Sequence, residues 1–212
     1  MLERNYFYVG VFTCLIIACA ALANSEDPEV VAAPSAEEAK PLKVGDRLPA
    51  VEVTREDGTV TKFSEALAGQ ASAIVFYRGH WCPFCVKHLT ALQEISGDLE
   101  AMGVKLVGVA PDKPEHIAGV RKKAELGFAI YSDSKLDLAK AMGVAFQLDP
   151  ETAARYKKHL VESTGHDTGQ LPVPAVFLAD KDGTITFVFS EPDYKVRLSN
   201  EDLLAAVKST QN

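Results

Sequence analysis

Apolar and polar positions follow two different patterns along this chain. Short runs made mostly of apolar and small residues predict buried strands, whereas apolar residues repeated every three or four positions predict helices with one buried face. The predicted strands are residues 72–77, 104–110, 128–131, 175–179 and 184–189. The predicted helices are a helix that begins at Pro83 and carries an apolar stripe as far as Met102, and residues 113–126, 135–142, 150–161 and 200–210.

Turn signals complete the outline of the fold. Glu56-Asp57-Gly58 separates residues 51–53 from residues 59–62 and predicts an N-terminal hairpin. A short helix over residues 63–67 follows it, and Asp182-Gly183 predicts a second hairpin between the last two strands. Because strands and helices otherwise alternate, we expect an α/β fold with a central mixed sheet, helices on both faces and an N-terminal β-hairpin extension.

Two cysteines open the first long helix, directly after the first buried strand. The sequence there is FYRGHWCPFC, and Pro83 takes the first helical position, where its missing N–H costs nothing. Cys82 therefore lies at a helix N-terminus, where unpaired N–H groups and the helix dipole favour a thiolate and lower its pKa. We expect Cys82 to be the attacking sulfur.

The second cysteine has a different predicted environment. Cys85 shares the apolar face of the helix with Leu89 and Leu92, so it should point toward the core. An exposed, reactive Cys82 one turn from a buried Cys85 is the arrangement in which the second thiol resolves a mixed disulfide formed by the first. Redox chemistry is the favoured interpretation.

Other uses of this cysteine pair stay open. C-x-x-C also occurs in structural disulfides and as half of a zinc site, but no second pair of ligands follows in the sequence. His80 and His88 flank the pair, so a soft-metal site such as copper is another alternative. Trp81 suits either a core position or a substrate-docking surface beside the thiol. The favoured interpretation needs no metal and no other cofactor.

The strand-W-C-x-x-C-helix pattern resembles the thioredoxin fold. FYRGHWCPFC, together with LPVPAVFLADKDGTITFVFSEPDYKVRLS, resembles the peroxiredoxin-like branch of the alkyl hydroperoxide reductase/thiol-specific antioxidant (AhpC/TSA) superfamily over roughly residues 43–210. The resemblance implies a thioredoxin-like fold and an antioxidant thiol oxidoreductase. It also implies a cis-proline beside the cysteines, at Pro174.

The resemblance also implies a sequence motif before the attacking cysteine and an arginine near it. The family's P-x-x-x-T-x-x-C motif, counted back from Cys82, meets Gly79 in place of threonine and Val75 in place of proline, which argues against fast peroxide reduction. An arginine that activates the attacking thiolate is implied, and Arg78 and Arg197 are the candidates. Either arginine is alternatively a surface salt-bridge partner.

The N-terminal residues predict export. Residues 6–23 form an uncharged apolar run that ends in Ala21-Leu22-Ala23, the small-x-small pattern of a cleaved secretory signal. The run is also about long enough to span a bilayer as an anchor, and residues 16–19 weakly match a bacterial lipoprotein cleavage box ending at Cys19. Each alternative places the protein in the periplasm or on the extracytoplasmic face of a membrane, with a membrane tether if an anchor is kept.

Composition sets the domain limits and excludes some partners. Residues 24–42 are rich in Ala, Glu, Pro and Ser and predict a disordered linker, which leaves one domain over residues 43–212. The net charge is −7 with no basic run, so nucleic acid is not expected as a partner. Cys14 and Cys19 fall in the leader, so Cys82 and Cys85 are left to pair with each other.

The resulting hypothesis is an exported thiol-disulfide oxidoreductase with peroxiredoxin-like activity. Cys82 would attack a peroxide or a protein disulfide, Cys85 would resolve the intermediate, and an unidentified thiol would supply electrons. One alternative is an extracytoplasmic disulfide reductase for thiol maintenance or cytochrome maturation. An alternative of another class is a copper or metal chaperone that uses the same cysteines as ligands.

Overall fold

The computed structural model describes Met1 and residues 31–210. The predicted signal or anchor and the first part of the predicted linker lie outside these residues. Within the described part of the chain, no helix has the length and apolar character needed to cross a membrane.

Nine strands and seven helices are described between residues 31 and 210. The strands are β1 (Glu52–Thr54), β2 (Val60–Lys62), β3 (Ala71–Phe76), β4 (Val104–Ala110), β5 (Ala129–Ser132), β6 (Ala145–Gln147), β7 (Gln170–Pro172), β8 (Ala175–Ala179) and β9 (Ile185–Ser190). The helices are α1 (Phe63–Ala66), α2 (Pro83–Glu94), α3 (Ser96–Ala101), α4 (Pro114–Lys123), α5 (Asp137–Ala141), α6 (Pro150–Thr164) and α7 (Asn200–Thr210).

Seven of these strands form one mixed sheet in the order β2-β1-β5-β4-β3-β8-β9. Strands β3, β4 and β5 run parallel, while β8 pairs antiparallel with both β3 and β9. Strands β1 and β2 form the predicted N-terminal hairpin. The prediction of a central mixed sheet with this hairpin is therefore confirmed.

Alternate residues of the central strand face two separate cores. Val75 and Tyr77 belong to one cluster, which the apolar faces of α2, α4 and α7 complete. Ile74 and Phe76 belong to the other, which includes Phe63 of α1 and side chains of α5. The uninterrupted apolar run of β3 is explained by this burial on both faces, and helices do cover both faces as predicted.

Two short strands were not predicted from the sequence. Strands β6 and β7 pair antiparallel in a separate sheet beside α6. Each has three residues and β7 ends in a proline, so neither shows the length or alternation that marks a strand.

The predicted helix from Pro83 to Met102 is divided in two. Helix α2 ends at Glu94, and Ile95 stands between it and α3. The Ser96 hydroxyl donates a hydrogen bond to the carbonyl oxygen of Gln93 at 2.8 Å, a local bond that competes with helix continuation. The apolar stripe survives the break, because Leu99 remains fully buried.

The prediction that residues 24–42 form a disordered linker is wrong for residues 31–42. The Ala33 N–H donates to the carbonyl of Ala145, and the Gln147 N–H donates to the carbonyl of Ala33, both at 2.8 Å. Leu42 also packs against the second core cluster. The edge of β6 provides backbone partners for this segment, and composition alone gives no sign of such partners.

Candidate active site

The cysteine loop leaves the sheet where β3 ends. The Tyr77 N–H donates to the carbonyl oxygen of Val109 in β4 at 3.1 Å, so the chain is held to its parallel neighbour up to the start of the loop. The carboxyl ends of β3 and β4 lie at the same edge, and residues that follow both strands meet there. Polar groups after β4 therefore face the loop.

Helix α2 begins as the sequence predicts. Cys82 is the N-cap, with φ −89° and ψ 110°, and Pro83 is the first helical residue. The Cys85 N–H donates to the carbonyl oxygen of Cys82 at 3.0 Å, which places the two cysteines on one turn. Cys85, Leu89 and Leu92 are buried along one face, as expected.

Both thiols are free and both are buried. Cys82 is 1% exposed and Cys85 is 0% exposed, so the expectation of an exposed Cys82 is wrong. The N-cap position alone does not expose a side chain, and Cys82 joins the core cluster below α2 with Trp81 packed against that cluster. A reactant reaches the Cys82 sulfur only when neighbouring side chains move or when the reactant is small.

The two thiols differ in acidity in the predicted direction. A hydrogen bond from the Cys85 thiol lowers the pKa of Cys82 to about 6, and the charges of Arg78 and Arg197 also contribute. The same hydrogen bond, together with burial, raises the pKa of Cys85 well above its ordinary value. In the coupled pair the negative charge is therefore favoured on Cys82 and the proton on Cys85.

The two candidate arginines make different contacts near the pair. Arg197 Nη2 donates to Cys85 Sγ at 3.5 Å, so this guanidinium contacts the second cysteine rather than the first. Arg78 is 4% exposed and lies over the ring of Tyr194 at 4.2 Å. Within residues 31–210 neither arginine makes a salt bridge, and the surface ion-pair alternative therefore finds no support there.

Gly79 explains why the sequence cannot carry a threonine at this position. Its φ is +144°, and an added Cβ would lie 2.6 Å from Trp81 Nε1.

The family motif can also be counted back from Cys85 instead of Cys82. The P-x-x-x-T-x-x-C spacing then meets Cys82 at the threonine position and Arg78 at the proline position. With the motif counted from Cys85, the cysteine of the motif is the one that Arg197 contacts.

A buried aspartate that the sequence analysis did not single out organises the loop. Asp112 follows β4 and is 0% exposed. It accepts hydrogen bonds from the His80 N–H at 2.7 Å and from His80 Nδ1 at 2.9 Å, and the second of these raises the pKa of His80. The His116 ring stacks on His80 with centroids 4.4 Å apart. Asp112 could have been identified from the sequence as a polar residue that follows a predicted buried strand.

The tryptophan is covered by a helix from far along the chain. Tyr156 and His159 of α6 lie against Trp81, with ring centroids 5.3 and 5.4 Å away. The Trp81 Nε1 atom is buried and has no hydrogen-bond partner among the described residues. The long polar insertion that contains α6 therefore forms one wall of the site.

The expected cis-proline is not present. No cis peptide bond occurs among the described residues, so the bond before Pro174 is trans and that expectation is wrong. The chain runs from β7 into β8, with the Val173 N–H bonded to the carbonyl of Val144 at 2.8 Å. Pro174 is nevertheless buried next to Ala175, which pairs with Phe76 at the end of β3. It therefore lies at the edge from which the cysteine loop leaves.

The structure gives no support to a metal site. Residues 31–210 contain no cluster of three or more His, Cys, Asp or Glu side chains that could hold a metal ion. His80 is engaged by Asp112, and burial lowers the pKa of His88 to about 4 with a further contribution from Arg197. The described residues therefore do not support the copper or zinc alternative.

Comparison with known proteins points to one family. A family model described as AhpC/TSA matches residues 44–188. Peroxiredoxin Bcp of Escherichia coli K12 is 29% identical over 104 residues, which cover 49% of this chain and 66% of that protein. A putative peroxiredoxin of Mycobacterium tuberculosis H37Rv is 30% identical over 102 residues, covering 48% and 64% of the two chains. The matches thus span just under two thirds of these relatives.

Solved structures agree with this at the level of the fold. The peroxidoxin BcpB of Mycobacterium tuberculosis superposes with a TM-score of 0.62 at 19% identity, covering 79% of this chain and 97% of that one. A mutant of PrxQ from Xylella fastidiosa gives a TM-score of 0.65 at 16% identity, with 82% and 99% covered. The predicted thioredoxin-like fold is therefore confirmed.

Proposed function

This chain belongs to the AhpC/TSA family, and from that premise we propose that it is a thiol-dependent peroxidase in which Cys82 attacks and Cys85 resolves. The observation that carries the assignment is the position of Cys82 at the N-cap of α2, one turn from Cys85, where the Cys85 thiol and the charges of Arg78 and Arg197 lower its pKa. Relatives that carry the name peroxiredoxin support the reaction class.

The proposed reaction has two steps. The Cys82 thiolate attacks one peroxide oxygen, the O–O bond breaks, and the products are a sulfenic acid on Cys82 and an alcohol or water after protonation. The Cys85 sulfur then attacks the sulfur of the sulfenic acid and water leaves, which forms a Cys82–Cys85 disulfide. Two electrons have passed from the cysteine pair to the peroxide, and an external thiol returns them.

Burial favours a peroxide over a protein disulfide as the oxidant. Both sulfurs are almost fully covered, and a hydroperoxide needs less displacement of Trp81 and α6 than a folded partner does. The C-x-x-C spacing and the absence of threonine at Gly79 favour the second candidate function, reduction of protein disulfides. The two functions use the same residues and differ in which oxidant reacts quickly.

The test is stopped-flow fluorescence of Trp81, the only tryptophan of the chain. Reduced protein is mixed with hydrogen peroxide or with a neutral disulfide, and the rates are compared with those of free cysteine. We expect a peroxide rate far above that of free cysteine. An ordinary peroxide rate with fast disulfide exchange would instead establish the reductase.

Single-cysteine variants test the division of roles. Cys82→Ser should abolish the peroxide reaction, whereas Cys85→Ser should still react and accumulate sulfenic acid that a dimedone probe labels. The reverse result, with Cys82→Ser reacting at the wild-type rate and Cys85→Ser silent, would assign the attack to Cys85. That outcome would favour the motif register counted from Cys85.

We also propose that the protein is exported to the periplasm or the extracytoplasmic face of a membrane. The support is the apolar run over residues 6–23 with its small-residue site at Ala21-Leu22-Ala23. Fractionation of the native host with mass measurement of the recovered chain tests this. Recovery from the cytoplasm with residues 1–23 intact would refute it, while the mass distinguishes cleavage, lipidation and retention.

A further inference from the structure

Arg78 is a buried cation without a conventional partner. Its side chain makes no hydrogen bond or salt bridge to any described residue, and its Nε is buried and unpaired. The residue is only 4% exposed. Burying an unpaired guanidinium is unfavourable, and this one lies over the aromatic rings of Tyr194 at 4.2 Å and of Trp81 and Tyr156 at 5.2 Å.

The surrounding rings leave the donors of this guanidinium unused. A guanidinium is planar and directs its N–H groups within its plane, whereas cation–π contacts involve the faces of the rings and provide no acceptor oxygen. The three rings hold the cation in place, and its Nε is buried without a hydrogen-bond partner. Paired N–H groups are thereby kept available for a ligand with two acceptor oxygens.

Other cations surround the same rings. Arg155 lies over Tyr156 at 5.4 Å and Lys195 Nζ lies over Tyr194 at 5.8 Å. Neither makes a salt bridge within the described residues, and Arg197 next to Cys85 makes none either. This concentration of unpaired positive charge occurs in a chain whose net charge is −7. Arg78, Arg155 and Lys195 thus lie over the same two rings, those of Tyr156 and Tyr194.

The charge balance changes during the proposed reaction. In the reduced pair one thiolate faces the charges of Arg78 and Arg197. In the oxidised pair the disulfide is neutral, so the buried Arg78 and the partly buried Arg197 lose the thiolate that faced them. A thiol reductant that carries one carboxylate has two negative charges when it attacks as a thiolate, which matches the two cations.

We propose that Arg78 is an anion-binding subsite for the electron donor, and that the donor is a small thiol bearing a carboxylate. This inference rests on the proposed function, because it names the chemical class of the thiol that reduces the disulfide. A carboxylate fits a guanidinium through two parallel hydrogen bonds. The subsite lies next to Trp81 and Cys82, so a bound carboxylate holds the attached thiol near the disulfide.

The donor step balances as thiol-disulfide exchange. The donor thiolate attacks the Cys82 sulfur, the Cys82–Cys85 bond breaks, and Cys85 leaves as a thiolate beside Arg197 Nη2 before taking up a proton. A second donor thiolate then attacks the donor sulfur of the mixed disulfide and releases the Cys82 thiolate. Two donor thiols have become one donor disulfide, and both protein thiols are restored.

The experiment reduces the oxidised full-length protein with three thiols of similar size and different charge. They are 3-mercaptopropionate, 2-mercaptoethanol and cysteamine, and Trp81 fluorescence follows the reaction. Each rate, per thiolate present, is divided by the rate of the same thiol with bis(2-hydroxyethyl) disulfide, which removes differences in intrinsic reactivity. We expect mercaptopropionate to react about tenfold faster than mercaptoethanol on this normalised scale, and cysteamine to be the slowest.

Variants test whether the preference for mercaptopropionate depends on Arg78. Arg78→Gln should bring the ratio of mercaptopropionate to mercaptoethanol close to one, and Arg78→Lys should leave an intermediate ratio because a point charge lacks the bidentate geometry. Arg121→Gln is the matched control, since it removes one positive charge at a side chain that pairs with Glu56, away from the cysteines. The ratio should be unchanged in that control.

Two results would overturn the proposal. One is equal normalised rates for the three thiols in the wild-type protein, a result that needs no variant to fold. The other is an equal loss of preference in Arg155→Gln and Arg78→Gln, which would indicate a general field and no subsite. When peroxide fails to oxidise the protein, the disulfide is made with diamide and the same series is run, so failure of the peroxidase function is separated from failure of the subsite.

Discussion

At the scale of single residues, the site depends on a shared proton between two buried thiols. Cys82 is the N-cap of α2 and receives a hydrogen bond from Cys85, and the Arg197 side chain contacts the Cys85 sulfur. The helix position, the second thiol and the two cations all favour charge on Cys82. Burial opposes it, and the pKa of about 6 shows that the favourable contacts prevail.

The acidity of Cys82 predicts a pH dependence. Because its pKa is lowered to about 6, the rate of alkylation by iodoacetamide in the reduced protein should rise through about pH 6 and level off above it, whereas an ordinary thiol still gains reactivity at about pH 8. Cys85→Ala removes the donor of the main hydrogen bond and should move the inflection upward. The same profile in Arg121→Gln is the control, and a wild-type inflection above about pH 8 would contradict the prediction.

The same shift has a defined sign for stability. A thiol with a lower pKa in the folded state than in the unfolded state binds fewer protons when folded, so the reduced protein gains stability as pH rises. The contribution is complete above the unfolded pKa near 9 and is lost as pH falls through about 6. The oxidised protein has no thiol to titrate and should lack this part of the pH dependence.

At the scale of elements, α6 makes the cysteine loop a covered site. It begins at Pro150 after the cap Asp149, whose carboxylate accepts a hydrogen bond from the Thr152 N–H at 2.9 Å. Its aromatic residues then reach Trp81. The insertion is therefore part of the active site, and the reactivity of Cys82 depends on how tightly this helix packs.

The contact between α6 and Trp81 predicts the effect of removing one ring. Tyr156→Ala should shift Trp81 emission to the red, raise the alkylation rate of Cys82 and lower the free energy of unfolding by about 1–2 kcal/mol, because a ring contact and part of the cover are lost. Lys158→Ala on the exposed side of the same helix is the control and should change none of these values. An unchanged emission spectrum in Tyr156→Ala would show that α6 does not cover the tryptophan in solution.

At the scale of the whole molecule, residues 31–42 belong to the folded domain. They bond to β6 and pack on the core cluster that includes α5. The close approach is greatest at Gly143, where an added Cβ would lie 1.9 Å from the carbonyl oxygen of Lys40. The domain therefore extends beyond the family match, which begins at residue 44.

A pair of glycine substitutions tests this packing. Gly143 and Gly103 both have φ +73°, but a Cβ at Gly103 would meet nothing within 4 Å. Both alanine variants carry the same backbone strain, and Gly143→Ala should lose roughly 1–3 kcal/mol more stability because it also displaces the segment. Denaturant unfolding measures the difference, and proteolysis near residue 40 should increase only in Gly143→Ala. Equal losses in the two variants would mean that the segment does not pack there.

The local features of this protein follow from its sequence alone. Unbroken apolar runs specified β3 and β8, and a run interrupted only by the exposed Lys105 specified β4, because these strands are buried on both faces. Pro83 fixed the start of α2, and the helical period placed Cys85 on its buried face. These features depend on neighbouring residues, so they can be obtained from the order of the amino acids.

The side chains that surround the two thiols are determined by the tertiary structure, because they come from distant parts of the sequence. Arg197 and Cys85 are 112 positions apart, and His80 and Asp112 are 32 positions apart. The burial of Cys82, the trans bond before Pro174, the aromatic rings around Arg78 and the docking of residues 31–42 also depend on distant segments. Such contacts arise from how the sheet and its insertions bring far parts of the chain together, and no local periodicity or composition encodes them.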